Sequence, residues 1–138
     1  MQLTYHIDRQ QRYILELLAG QVTTENTMHI FQQIWEDPAY DPEFNIFMDI
    51  READVQMTEA ELMQMIQFFD QQSMSSRAKV VILIEAPIET TLAFMCQKEV
   101  QPQTVKLFND LEDALTYAGL DLETYDVLNS DLATTLTA

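Results

Sequence analysis

Apolar and polar positions alternate in two runs at the start of the chain, "LTYHID" (residues 3–8) and "YILELLAG" (residues 13–20). A repeat of two puts every second side chain on one face, so the runs predict an antiparallel hairpin around the polar "RQQR". Gly20 is expected to end the second strand. From residue 24 the period lengthens: Ile30, Phe31, Ile34 and Trp35 share one helical stripe, with Thr23 or Thr24 as N-cap. The prolines of "DPAYDP" stop this helix, since each removes a donor and disfavours helix in the residue before it. "FNIFMDI" (44–50) predicts a third strand, and the charged stretch after it a loop. Thr58 and Glu61 form a capping-box pattern opening a second helix over about 59–72. In that helix Leu62, Met65, Ile66 and Phe69 share one face, with Met63 and Phe68 on its flanks.

"KVVILIE" (79–85) is almost continuously apolar, as expected of a central strand covered on both sides. A third helix starts at Pro87, with Ile88, Leu92 and Met95 as its stripe. A short strand (103–108) follows, then a helix capped by Asn109 or Asp110, lined by Leu111, Ala114, Leu115 and Ala118, and terminated by Gly119. The order β-β-α-β-α-β-α-β-α predicts an α/β fold with four or five helices. Its mixed, mostly parallel sheet has about five strands, including the N-terminal β-hairpin. Residues 1–119 are read as one domain, and 120–138 as an acidic tail or an extra helix around Leu122, Tyr125 and Leu128.

Composition narrows the function. At 47% hydrophobic the 138 residues suffice for a packed core, and the longest apolar run, 80–84, is far short of a membrane span. No secretory signal opens the chain, and Cys96 is the only cysteine, so a cytoplasmic location is expected. The net charge of −16 repels nucleic-acid phosphate. No Lys or Arg follows Lys106, while Asp110, Glu112, Asp113, Asp121, Glu123, Asp126 and Asp131 do. This acidic end reads first as a solubility device and second as a docking surface for a basic partner.

Two glycines in the whole chain exclude both a GxGxxG and a Walker loop. His6, His29 and Cys96 lack partners at metal-ligand spacing and read as structural. Ser73, Ser75 and Ser76 form a polar turn without a nucleophile elbow. Asp49, Glu52 and Asp54 surround Arg51, but their spacing matches no metal loop, and local pairing with Arg51 explains them more simply. No cofactor or metal is implied. Met63 and Phe68 can form part of an exposed patch with Phe94, and a core or homodimer-interface role suits these side chains better than a ligand groove.

The hairpin, "NIFMDIREAD", "KVVILIE" and "VKLFNDLEDALTY" resemble STAS-like domains, the SpoIIAA-like anti-sigma-factor antagonists, over about residues 3–118. Asp49 ends an apolar strand before the loop to the second helix, and Phe108 closes the last strand ahead of Ala114 and Leu115. In such antagonists the start of the second helix carries a phosphorylatable serine. Here "DIREADVQMTEAEL" has only Thr58 as a hydroxyl, already used as an N-cap and set among acids.

The resemblance implies a non-enzymatic regulatory domain that binds a protein partner, without the usual phospho-acceptor serine. Asp49, Arg51, Asp54, Thr58, Met63 and Phe68 would form its contact surface, with Thr58 as the one available phosphorylation site. Distant kinship with CRAL-TRIO domains supplies the alternative, a carrier of a small apolar ligand or lipid.

Overall fold

The computed structural model describes residues 1–58, 60, 61, 64, 78–85 and 104–138. Among these residues six strands form one sheet: β1 (Gln2–Asp8), β2 (Tyr13–Val22), β3 (Asn45–Val55), β4 (Lys79–Leu83), β5 (Thr104–Phe108) and β6 (Thr134–Thr137). Their order across the sheet is β5-β4-β3-β2-β1-β6. The pairs β2–β3, β3–β4 and β4–β5 are parallel, while β1 runs antiparallel to both β2 and β6. The described helices are α1 (Thr24–Trp35), α2 (Leu111–Ala118) and α3 (Leu122–Asp126), the last followed by a 3-10 turn at Val127–Asn129.

The predicted hairpin forms from local chemistry. Asp8 Oδ1 accepts from the Gln11 backbone N–H at 2.9 Å, and Arg12 closes the turn at φ 59°. Helix α1 starts where Thr23 Oγ1 accepts from the Asn26 N–H at 3.3 Å. Its end is fixed by Asp37, whose carboxylate accepts from the Ala39 N–H at 2.8 Å and from the Tyr5 hydroxyl at 2.7 Å. Helix α2 has Asp110 as N-cap and Gly119 as left-handed C-cap at φ 73°. Beyond that cap the Leu120 N–H reaches back to the Leu115 carbonyl at 3.0 Å, the hydrogen bond of a Schellman end.

Two apolar layers flank the sheet. On one face Tyr13, Leu15, Phe47, Val81 and Leu83 pack under α2, α3 and the 3-10 turn through Ala114, Leu115, Tyr125 and Leu128. On the other, Leu3, Tyr5, Leu18 and Val22 pack under α1 through Ile30, Phe31 and Ile34.

Three boundaries differ from the sequence reading. β2 passes through Gly20, which takes φ 81°, and ends at Val22. β3 continues through the expected charged loop to Val55, because a bulge inverts its alternation: Leu17 faces Asp49, but Ala19 faces Glu52. Met48 and Ile50 point to the α1 layer before the bulge, and Ala53, Val55 and Met57 after it. Residues 120–138 form α3, the 3-10 turn and a sixth strand, one more than the five or so expected. Of the three residues around which the extra helix is expected, Tyr125 and Leu128 are buried and Leu122 is 56% exposed. The second and third predicted helices lie outside the described residues, except that Ala60, Glu61 and Gln64 are helical.

Candidate functional site

The bulge in β3 sets up a buried polar cluster. With two β3 residues opposite Leu18 alone, Asp49 and Arg51 come to one side of the strand. Asp49 is 1% exposed, and its carboxylate meets four donors. Oδ1 accepts from the Arg51 backbone N–H and from Arg51 Nε, both at 3.0 Å. Oδ2 accepts from Arg51 Nη2 at 2.9 Å and from the Tyr125 hydroxyl at 2.6 Å. Arg51 Nη2 also lies 3.3 Å from the Tyr125 oxygen.

A carboxylate offers roughly four lone-pair sites, so these donors use its accepting capacity. The Asp49 bond holds the Arg51 guanidinium charged well beyond its ordinary range. Burial, then the bond to Asp49, pushes the Tyr125 hydroxyl up to about 12. Tyr125 also meets Phe47 edge-on at 6.0 Å. The cluster thus clamps α3 to the bulge, and the pairing of Asp49 with Arg51 expected from their spacing is present.

Beyond the bulge the ribbon of β2 and β3 has two unlike faces. Ala53 and Val55 turn into the α1 layer, whereas Glu52 and Asp54 are exposed beside Ala19 and Gln21. Asp54 accepts from Gln56 Nε2 at 3.0 Å. Thr58 is exposed, and its Oγ1 accepts from the Glu61 N–H at 3.2 Å, which is the capping half of the predicted box. The Glu61 carboxylate instead accepts from Thr24 Oγ1 at 3.4 Å, joining this segment to the start of α1. The proposed contact residues therefore divide. Arg51 is half-buried, Asp54 and Thr58 face solvent, and Asp49 is internal. Met63, Phe68 and Phe94 lie outside the described residues.

His6 is half-buried and His29 exposed; Cys96 and the serines at 73, 75 and 76 are outside the described residues. Among the described residues no three His, Cys, Asp or Glu side chains converge on a metal-sized site.

Two participants escaped the sequence reading. In the sequence Tyr125 stands out only as part of an expected C-terminal helix, although a tyrosine there has a hydroxyl that needs a partner once buried. Glu16 sits on the α1 side of β2 between Tyr5 and Met48, 1% exposed, and its Oε2 has no hydrogen-bond partner among the described residues. Burial raises its carboxyl to about 8. Burial and then the nearby Glu16 raise the Tyr40 hydroxyl to about 12. Its signal was available: Ile14, Glu16 and Leu18 share a face of a strand whose other face, Tyr13, Leu15 and Leu17, is apolar too.

No family model matches this chain, and no curated protein does. Among solved structures it is similar to an uncharacterized protein of the DUF3478 family with a SpoIIAA-like fold from Shewanella loihica PV-4, solved at 2.25 Å resolution. The two share 20% identity over 84% of this chain and 93% of that one, with a TM-score of 0.56. The fold is SpoIIAA-like, as the strand order and the resemblance in the sequence imply.

Proposed function

We propose that this SpoIIAA-like domain is a non-enzymatic module that recognises a protein partner through the exposed face of the β2–β3 ribbon and the Thr58 segment. The observation that carries this reading is the two-faced ribbon. One side is anchored in the α1 layer by Ala53 and Val55, and the other holds Glu52 and Asp54 out to solvent. Polar groups on a strand locked by packing lose little further freedom on binding, which favours recognition. Asp49, met by four donors, is occupied internally and positions the ribbon rather than touching a partner. Antagonists of this fold present their switch serine at the start of the second helix. Here Thr58 supports the turn as an N-cap, so a regulatory input at this position would have to act on that hydroxyl.

Charge reversal at exposed positions tests the surface without disturbing the core. Glu52→Lys with Asp54→Lys should leave the melting temperature within a few degrees and abolish capture of the partner from a lysate of the source cells. Capture undiminished by the double variant, at unchanged stability, removes this surface from the reading.

A further inference from the structure

The polypeptide after β5 builds a second surface, on the sheet face opposite α1. Leu115 and Leu120 are buried at the floor of a groove of about 570 Å³, Leu111 is half-buried along it, and Leu122 stands at its lip. Asp110 and Glu112 form the rim. Volumes of about 300–1,000 Å³ are typical of ligand sites, but this groove is open along one side, so a small apolar molecule would keep much of its surface in water. A helix bringing its own polar face would not.

Charge selects the kind of helix. All seven acids after Lys106 are exposed, and no basic residue lies among them. Some have local roles: Asp110 and Asp121 cap α2 and α3, and Glu112, Asp113 and Glu123 sit in first turns, where the positive helix end favours them. Those roles do not account for a leucine left 56% exposed within that acidic field, at the edge of an apolar groove. A neutral segment docking there would desolvate the rim carboxylates without compensation, whereas a cationic one neutralises them and is drawn in at long range.

We infer that the groove between α2 and α3 receives the apolar face of a basic amphipathic helix belonging to a protein partner. This rests on the reading of the domain as a protein-recognition module and adds a second contact, built from the polypeptide after β5. The anchors of the incoming helix, spaced i, i+3, i+4 and i+7, fill the leucine-lined floor. Its Lys or Arg residues lie over Asp110 and Glu112.

The test is titration of isotope-labelled protein with a synthetic sixteen-residue Lys/Leu peptide of helical amphipathic pattern, followed by amide and methyl chemical shifts. A peptide of identical composition with its leucines dispersed is the control. The patterned peptide should move the resonances of Leu111, Thr116, Leu120 and Leu122 and bind at least tenfold more tightly than the control. Leu122→Asp, at an exposed position that leaves folding intact, should weaken binding at least tenfold, and Glu112→Lys several-fold with a shallower salt dependence. Equal binding of the two peptides, or saturation that leaves Leu120 and Leu122 unmoved, overturns the proposal. So does neutral 1-aminoanthracene filling the groove while the peptide does not displace it.

The two surfaces fail separately. Failure of the peptide at the groove, with partner capture still abolished by the Glu52 and Asp54 reversals, removes the groove alone. Groove binding as expected, with capture indifferent to those reversals, removes the ribbon surface alone.

Discussion

Glu16 and Asp49 are each 1% exposed, on adjacent strands and one register step apart, yet their two carboxyls are treated in opposite ways. Asp49 faces the α3 side and is met by four donors. Glu16 faces the α1 side, has one oxygen without a partner among the described residues, and is raised by burial from 4.5 to about 8. At neutral pH Glu16 is therefore mostly protonated when folded and ionised when unfolded, so unfolding releases a proton. Stability from this group is full below about pH 4.5 and is lost as pH climbs to about 8. At about 1.4 kcal/mol per unit, the loss is on the order of 5 kcal/mol. Asp37 works in the opposite sense, held below its ordinary 3.8 by the Tyr5 hydroxyl and the Ala39 N–H, and its effect falls at more acid pH. Urea denaturation of the wild type between pH 5 and 8 should show falling stability, and Glu16→Gln should flatten that slope and gain stability at pH 8. A wild-type profile already flat across this interval means that Glu16 finds a partner or water in solution. A charged residue inside an otherwise apolar strand signals such a group in the sequence; whether a donor meets it depends on the neighbouring strands, which no local pattern records.

The hairpin, α1, α2 and its caps follow from local rules, because the residues that decide each lie within a few positions of one another. β3 and β6 do not. Along β3 and just past its end the inward series Met48, Ile50, Ala53, Val55, Met57 keeps its period of two on either side of one skipped position. The phase break made the far half look like a charged loop, although its alternation is intact. β6, "TTLT", has no strong pattern and becomes a strand because β1 offers it an open edge: Thr137 faces Gln2 and Leu136 faces Leu3. That partner lies more than 130 residues away in sequence, beyond any local window. Ending the chain after Ser130 should therefore expose β1 as an edge carrying Leu3, Tyr5 and Ile7. The lost ladder and the lost packing of Leu136 are together worth on the order of 2 kcal/mol, about 5–10 °C in melting temperature. An unpaired apolar edge also invites self-association, so the truncated chain should elute with a mass that rises with concentration in size exclusion with light scattering. A truncated chain that stays monomeric and melts where the full chain does would show that β6 contributes nothing to the sheet.

Charge acts on the molecule as a whole. A net −16 on 138 residues works against compactness, since folding crowds like charges that the unfolded chain spreads apart. The attractive pair at Asp49 and Arg51 runs the other way, but its carboxylate is buried, so ions affect it less than they affect the exposed acids. The acidic surface is the part open to salt, because the screening length shrinks from about 30 Å at 0.01 M to about 3 Å at 1 M. Sodium chloride should therefore stabilise this protein, raising the melting temperature by several degrees between 10 mM and 500 mM, with most of the gain below about 150 mM, where screening changes fastest. A melting temperature that falls over the same range would mean that attractive surface pairs outweigh the net repulsion. The acids would then be arranged as partners for this chain's own few cations, and the field available to draw a basic helix toward the α2–α3 groove would be correspondingly weaker.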